Sequence, residues 1–361
     1  MMEDEVVARK HWLTREEFVD LLGATNLIPG PNSTEMAIHI GHRRAGFAGL
    51  FVAGTCFILP AAILVGVIAW AYVRFGTLPQ VEGLLYGVKP VVIAIVAQAL
   101  WRLGRSVLKT KLLIAAALIT VTLSFMGVNE LAILFGAGAC VALIRASARR
   151  APPDAMAMSL LGPLAAMPIA DVSLAAAPVA FGLLPLFLFF LKVGAVLFGS
   201  GYVLLAFLRA DLVERWHWLT DTQLLDAVAV GQITPGPVFT TATFIGYVLD
   251  GPRGALVATV GIFLPAFFFV AISGPLVPHL RRSAVAGDVL DGVNVAALAL
   301  MAVVTMQLGV AAIVDATTII LVVTSAILLM RYRLNSTWLV IGAALVGLVR
   351  SYGLSLADVF N

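Results

Sequence analysis

The chain has 361 residues, of which 61% are hydrophobic and only 12% are charged, and its formal net charge is +3. The mean hydropathy of +1.02 excludes a soluble globular domain as the main part of the protein. The small charge does not favour nucleic acid as a partner. The two cysteines, Cys56 and Cys140, lie in separate apolar segments and support neither a disulfide framework nor a metal site. We therefore expect an all-α, polytopic integral membrane protein that is embedded in the lipid bilayer and uses no metal or cofactor.

The first distinctive motif is a helix break at Pro29, Gly30 and Pro31. It follows a charged opening, residues 3–10, which does not resemble a signal peptide. A helix cannot continue through Pro-Gly-Pro, because both prolines lack an amide donor and glycine admits positive φ. We predict that two half-helices meet at this break, near residues 14–28 and 32–42.

This break is a candidate anion site. Broken backbone at membrane depth is tolerated only where it is buried in protein or lines an aqueous cavity. The second half-helix would direct free amide N–H groups and its positive dipole end at a ligand. A kinked structural turn at the membrane surface is the alternative. The residues that could bind the anion here are Asn26, Pro29, Gly30, Pro31, Asn32, Ser33 and Thr34.

The acidic residue that follows has two interpretations. Glu35 comes three residues after Asn32, which is the spacing of a capping box, and Asn32 and Ser33 would then cap the half-helix. A carboxylate beside an anion site could instead couple transport to protons. His39 and His42 are predicted to be interfacial or packing residues.

Two long apolar spans follow, near residues 47–72 and 84–103, and each is long enough to cross about 30 Å of hydrocarbon. The next two segments, near residues 112–126 and 131–144, are short for a full crossing. Lys89 lies inside the second long span, where a cation either has a functional role or extends to the interface. Both interpretations of Lys89 stay open.

The second half opens with a long span near residues 186–208, which contains Lys192 and then Gly199, Ser200 and Gly201. A lysine inside a span is a functional-site hypothesis by default, and Lys192 would attract an anion. Snorkelling of its side chain to the interface is the alternative. The Gly-Ser-Gly run would allow close helix packing or an approach of backbone to the ion.

A second helix break, at Pro235, Gly236 and Pro237, predicts another pair of half-helices, near residues 220–233 and 238–249. The polar residues that could bind an anion here are Gln232, Thr234, Thr240 and Thr241. Long spans near residues 254–273 and 288–308 follow, and then short apolar segments near residues 317–330 and 337–349.

The two breaks belong to an internal repeat. The matched pairs include Trp12 with Trp218, Pro29 with Pro235, Gly41 with Gly246 and Gly87 with Gly292. Chance would not produce an ordered series of Trp, Pro and Gly matches with one gap. We therefore divide the chain into a first transporter repeat, residues 1–150, a linker, residues 151–185, and a second transporter repeat, residues 186–361.

Basic loops predict that the two repeats are inverted in the membrane. In the first repeat, the basic loops near residues 43–44, 102–111 and 145–150 are separated by two crossings each and can share one side. In the second repeat, the basic loops near residues 281–282 and 331–333 fall at the alternate positions. Inverted repeats place the substrate site near the membrane midplane, where the two halves meet.

At these motifs the chain resembles the two-domain type of the chromate ion transporter family. The matching stretches are residues 27–31, 41–46, 59–61, 192–194, 198–202 and 234–237. The resemblance covers nearly the whole chain and implies a carrier of the bacterial inner membrane that exports chromate and confers chromate resistance. The residues themselves indicate only a small anion of the oxyanion type.

Several alternatives therefore stay open. The carrier could move sulfate or another oxyanion, or the protein could be a passive anion channel. A membrane-embedded enzyme is disfavoured, because the spans contain no catalytic or metal-binding cluster in sequence. The oligomeric state is undecided, and a homodimer is one alternative. Compared with two-domain members of the family, we also expect the chain to lack a first transmembrane helix, because Met1 and Met2 align with Phe207 and Leu208, just past the span that contains Lys192.

Overall fold

A computed structural model describes residues 2–25, 27–150, 179–197, 203–332 and 334–359 of the protein. The described part of the first repeat begins with a π-helical segment, Asp4–Arg9. Its α-helices are α1 Arg15–Thr25, α2 Asn32–Phe75, α3 Pro79–Val107, α4 Lys111–Phe125 and α5 Glu130–Arg150.

The second repeat has the same order of helices. Its α-helices are α6 Leu183–Val196, α7 Leu204–Phe207, α8 Asp221–Ile233, α9 Thr241–Arg282, α10 Ala284–Ala312, α11 Ala316–Arg331 and α12 Ser336–Val359. The helix α7 continues as a π-helical segment, Leu208–Arg215, and a 3-10 turn, Val238–Thr240, precedes α9. Most of the predicted linker lies outside the described residues.

The prediction of an all-α, polytopic membrane protein is confirmed. Within the part that the structure describes, five helical segments are long and apolar enough to cross a membrane: Asn32–Phe75, Pro79–Val107, Glu130–Arg149, Val238–Ser273 and Ala284–Ala312. Large apolar side chains such as Val67, Trp101 and Leu256 are exposed on these helices. Such exposure would be costly in water and is expected against lipid.

Two of the predicted spans differ from the structure. The sequence predicts a short segment at residues 131–144, but in the structure α5 continues to Arg150. Ion pairs of Arg145 and Arg149 with Asp288 stabilise this extra length of helix. The span predicted at residues 186–208 is not one helix, because α6 ends at Val196 and Leu197 is extended.

The long helices α2 and α9 each fold back on themselves. The reversal falls at Ala45 and Gly46 in α2, and at the repeat-equivalent Asp250 and Gly251 in α9. Gly46 and Gly251 have φ values of 58° and 59°, which glycine adopts without strain. Each helix therefore consists of a short first arm, which starts at a Pro-Gly-Pro break, and a long second arm.

Glycine contacts close these two hairpins. Gly41 and Gly49 are so close that a methyl group on Gly49 would lie 2.0 Å from the carbonyl oxygen of Gly41. The equivalent pair, Gly246 and Gly254, makes the same contact in α9. A short arm of about 13 residues extends only ~20 Å, at 1.5 Å per residue, so it cannot cross the hydrocarbon core alone.

Each repeat packs its last two helices against the other repeat. The helices α11 and α12 contact α3, while the equivalent α4 and α5 contact α10. The contacts match residue by residue, because Gly87 lies against the carbonyl of Ala343 just as Gly292 lies against Gly138. The two repeats are thus interlocked around α3 and α10.

Repeat-equivalent helices run antiparallel where they meet. In the contact between α3 and α10, Gly104 faces Leu298 and Gly309 faces Ile93. In the contact between α2 and α9, the rings of Phe51 and Phe267 stack with their centroids 5.8 Å apart. These contacts also place each break beside the other repeat, since Gly236 touches Ala61 and Ile28 packs in one apolar cluster with Ala266.

Candidate functional site

The first break has the two half-helices that were predicted. The helix α1 ends at Thr25, α2 starts at Asn32, and between them Gly30 adopts a φ of 137°, a value that side chains rarely allow. The N–H of Gly30 donates a hydrogen bond of 2.7 Å to the carbonyl of Leu197. This bond fixes the break to the end of α6, the helix that contains Lys192.

The capping interpretation of this break is wrong. Pro31 occupies the N-cap position of α2, and no side chain forms a capping hydrogen bond there. Asn32 is the first residue inside the helix, so Asn32 and Glu35 do not have capping-box geometry. The physical reason is that Pro31 has extended φ and ψ values and lacks an amide proton, which moves the cap one residue earlier.

Polar side chains are buried along the first turns of α2. Thr34 and Glu35 have no exposed surface and His39 is 7% exposed. Among the described residues, Oγ1 of Thr34, both carboxyl oxygens of Glu35 and Nε2 of His39 have no hydrogen-bond partner. Buried polar atoms without partners are costly, so a ligand, a proton or water is expected to occupy this region.

The carboxyl group of Glu35 lies against the break itself. A methyl group on Gly30 would lie 2.3 Å from Oε1 of Glu35, so only a glycine leaves room for this carboxyl group. His39 is one helical turn beyond Glu35 and therefore on the same face of α2. The sequence predicts an interfacial or packing role for His39, and its spacing of four residues from Glu35 is the signal that places both on one face.

The second break has the same backbone conformation as the first, but its side chains make different hydrogen bonds. Gly236 has a φ of 145°, close to that of Gly30. Its threonines donate their hydroxyl protons to nearby backbone carbonyls: Thr234 to Val230 at 2.8 Å, Thr240 to Pro237 at 2.9 Å and Thr241 to Val238 at 2.8 Å. In the aligned motif Thr241 stands where the first repeat has Glu35, and the hydroxyls of these three threonines are satisfied by the backbone, whereas the hydroxyl of Thr34 is not.

Lys192 is paired with a carboxylate. Its ammonium nitrogen lies 2.5 Å from Oδ2 of Asp211, and Oδ1 of the same carboxylate accepts a hydrogen bond from Arg215. Arg215 in turn bonds to Glu130 at 2.8 Å. The positive charge of Lys192 is thus neutralised in this arrangement, and its role as an anion ligand stays a prediction. Asn26, Gly199, Ser200 and Gly201 lie outside the described residues.

Lys89 is also paired, with a residue that the sequence did not single out. Its ammonium nitrogen lies 3.2 Å from Oδ1 of Asp226 in α8, and the hydroxyl of Tyr72 donates a 3.0 Å hydrogen bond to Oδ2. Asp226 is 2% exposed. This group lines a cavity of about 640 Å³ between α2, α3, α8 and α10.

The chain matches known transport proteins over most of its length. The family described as Chromate transporter matches residues 1–143 and 184–348. The Chromate transport protein of Cupriavidus metallidurans is 35% identical over 351 residues, which are 96% of this chain and 86% of that protein. The Chromate transport protein of Pseudomonas aeruginosa is 32% identical over 86% of this chain and 75% of its own length. The Probable chromate transport protein of Synechococcus elongatus is 32% identical over 85% and 78%. No solved structure gives a significant match.

Proposed function

This chain belongs to the chromate transporter family, and on that premise we propose that it is a secondary transporter that moves chromate out across the bacterial inner membrane. The relatives are named as transport proteins, not as enzymes, and the five long apolar helices suit a carrier that spans the bilayer. Export would lower the chromate concentration inside the cell and give resistance.

The membrane potential supports the outward direction. Moving one charge through 100 mV changes its free energy by about 2.3 kcal/mol. Because the cytoplasm is negative, the free energy of a dianion such as chromate falls by about twice that amount when the dianion leaves the cell. An importer of the same dianion would need several coupled cations to overcome this cost.

We infer that the anion binds at the first break. The buried and unpartnered Thr34 and Glu35 are the observation that supports this position most directly. The first turn of α2 provides amide N–H groups that the helix cannot satisfy itself, and its dipole favours negative charge. Thr34 can donate its hydroxyl proton to an oxyanion, whereas the threonines of the second break donate theirs to the backbone.

Glu35 is proposed as the proton-coupling group. A charged carboxylate in this position would repel an oxyanion, and burying it without a partner is costly. A proton on Glu35 removes both difficulties and turns the carboxyl group into a hydrogen-bond donor. Anion binding and protonation of Glu35 would then favour one another.

Alternating access would use the antiparallel arrangement of the repeats. The contacts of Gly104 with Leu298 and of Gly309 with Ile93 support an inverted topology, in which each repeat could open the site to one side. The basic loops would fix the orientation, with residues 43–44 and 102–111 in the cytoplasm.

Flux in inside-out membrane vesicles tests this function. We expect labelled chromate to accumulate when a membrane potential, positive inside the vesicle, is imposed, and a pH gradient to change the rate. Uptake of labelled sulfate but not chromate would favour the sulfate alternative. Flux that follows the membrane potential but ignores the pH gradient, and that survives Glu35→Gln, would indicate a passive channel. Chromate flux no greater than that of vesicles without the protein would contradict the proposal.

A further inference from the structure

The cavity beside Lys89 is separate from the Pro-Gly-Pro break that starts α2. It lies where the end of α2, the start of α3, the start of α8 and the end of α10 come together. Its volume of about 640 Å³ has room for a small oxyanion with several water molecules, at about 30 Å³ for each water. Lys89 and Asp226 both line it, so their ion pair faces this space.

The two charges of the pair are buried to different degrees. The side chain of Lys89 is 17% exposed, whereas that of Asp226 is 2% exposed. The hydroxyl of Tyr72 already donates to Oδ2 of Asp226. Lys89 is therefore the member of the pair that can reach a ligand in the cavity, while Asp226 is held behind it.

Asp226 and an oxyanion would compete for the same ammonium group. While Asp226 is ionised, it occupies Lys89, and a dianion in the cavity would meet a second negative charge close by. When a proton from water neutralises Asp226, Lys89 keeps its full positive charge and becomes available. Loss of that proton would restore the ion pair and displace the anion.

Few other charged groups face this pair. The titratable side chains that line the cavity are Tyr72, Glu82, Tyr86, Lys89 and Asp226. Glu82 is exposed, and the hydroxyl of Tyr86 is held by Asp315 and Arg350. The cavity-lining residues from α9 and α10 are apolar: Val248, Ala311 and Ala312. No described cavity-lining residue other than Lys89 is a cation.

The repeat shows that this arrangement belongs to one half-site only. Asp226 aligns with Asp20 of the first repeat, but Lys89 aligns with Asn294. The repeat-equivalent positions therefore keep the carboxylate, but an asparagine stands in place of the lysine. A site built on the ion pair would bind the anion from one side of the membrane.

We propose that this cavity is a second oxyanion site, in which Lys89 binds the anion and Asp226 takes up one proton as the anion enters. The proton is taken up from the aqueous solution through the cavity and forms an O–H bond on the Asp226 carboxylate, the ammonium group of Lys89 stays protonated, and no other bond changes. The proposal rests on the proposed oxyanion transport and adds a second binding step to it.

The test measures anion binding and proton uptake by the purified full chain in detergent. Labelled chromate and labelled sulfate are the probes, in equilibrium dialysis from pH 6 to pH 8, with proton uptake followed by a pH dye in weakly buffered solution. At saturating anion, Asp226→Asn should take up one proton fewer per protein molecule than the wild type. Its affinity should also lose the part of the pH dependence, at most tenfold per pH unit, that one proton imposes.

Two further variants keep the test decisive. Asp20→Asn changes the repeat-equivalent carboxylate, which is exposed on α1, and should leave both measurements as in the wild type. The double variant Lys89→Met with Asp226→Asn removes both charges, avoids a buried unpaired charge and should lose the second site. Melting curves in detergent show that each variant is folded.

The outcomes separate this inference from the function on which it rests. If the wild type binds and transports chromate but Asp226→Asn keeps the same proton count, the second site is refuted and the function stands. If the double variant binds as many anions as the wild type, the second site is also refuted. If the wild type neither binds nor transports either anion, both proposals fail.

Discussion

Oε1 of Glu35 lies 2.3 Å from the point where a side chain of Gly30 would begin. The residue that breaks the helix and the residue proposed to couple protons are therefore adjacent in space. Any side chain on Gly30 must displace the carboxyl group of Glu35.

Gly30→Ala is expected to abolish transport. The added methyl group would displace Glu35, and the φ of 137° would cost about 1–3 kcal/mol for a residue with a Cβ. Labelled chromate flux in inside-out vesicles measures the loss. Gly66→Ala is the matched control, because no atom lies within 4 Å of a methyl group there. Normal flux through Gly30→Ala would show that the position of Glu35 is not needed.

Glu35→Gln is expected to separate anion movement from proton coupling. The amide has nearly the same shape as a protonated carboxyl group and donates hydrogen bonds, but it does not gain or lose a proton near neutral pH. Exchange of labelled for unlabelled chromate should continue, while acceleration by a pH gradient should disappear. The measurement compares the rate of exchange with the rate of flux under a pH gradient in the same vesicle preparation. A gradient response equal to that of the wild type would remove Glu35 from the coupling mechanism.

Lys192→Ala is expected to abolish transport while the protein still inserts into the membrane. Lys192 forms an ion pair with Asp211, and Asp211 also pairs with Arg215. Removing the charge of Asp211 together with that of Lys192 is therefore the control. If the role of Lys192 is only to neutralise Asp211, the double variant with Asp211→Asn should recover transport. Recovery in the double variant, or full flux in the single one, would leave Lys192 with a structural role.

Gly87→Ala is expected to lower stability by disturbing the contact between α3 and α12. The methyl group would lie 1.9 Å from the carbonyl oxygen of Ala343, so α3 and α12 would have to separate. Such overpacking typically costs about 1–3 kcal/mol. Thermal unfolding in detergent should show a lower midpoint. Gly104→Ala, whose methyl group would lie 3.9 Å from Leu298, should change the midpoint little. Equal midpoints for the two variants would contradict the described packing of α3.

The helix breaks could be predicted from the sequence because they have local causes. A proline removes a backbone amide donor in any context, so Pro29 and Pro31 predict a helix break from the local sequence alone. The same motif at Pro235 supports the same role in the second repeat. The end of α6 at Val196 could not be predicted in this way. Residues 186–208 are mostly apolar and contain no proline, and the extended Leu197 is fixed by its hydrogen bond with Gly30 of the other repeat.

The partners in the ion pairs could not be predicted from the sequence for a related reason. Lys89 and Asp226 are far apart in the chain and meet only because α3 packs against α8. A lysine inside a span indicates function or an interface position, but not its partner. Likewise, the unpartnered atoms of Thr34 and His39 follow from the burial of one face of α2, which composition does not reveal.

The exchange of α4, α5, α11 and α12 between the repeats determines which parts of the protein can move as rigid units. A close backbone contact such as that of Gly87 with Ala343 does not allow sliding, so α3 must travel with α11 and α12, and α10 with α4 and α5. The moving bodies would then each contain helices from both sequence halves. A cut in the linker would leave two chains that still need one another to assemble, since neither half alone covers its own central helix.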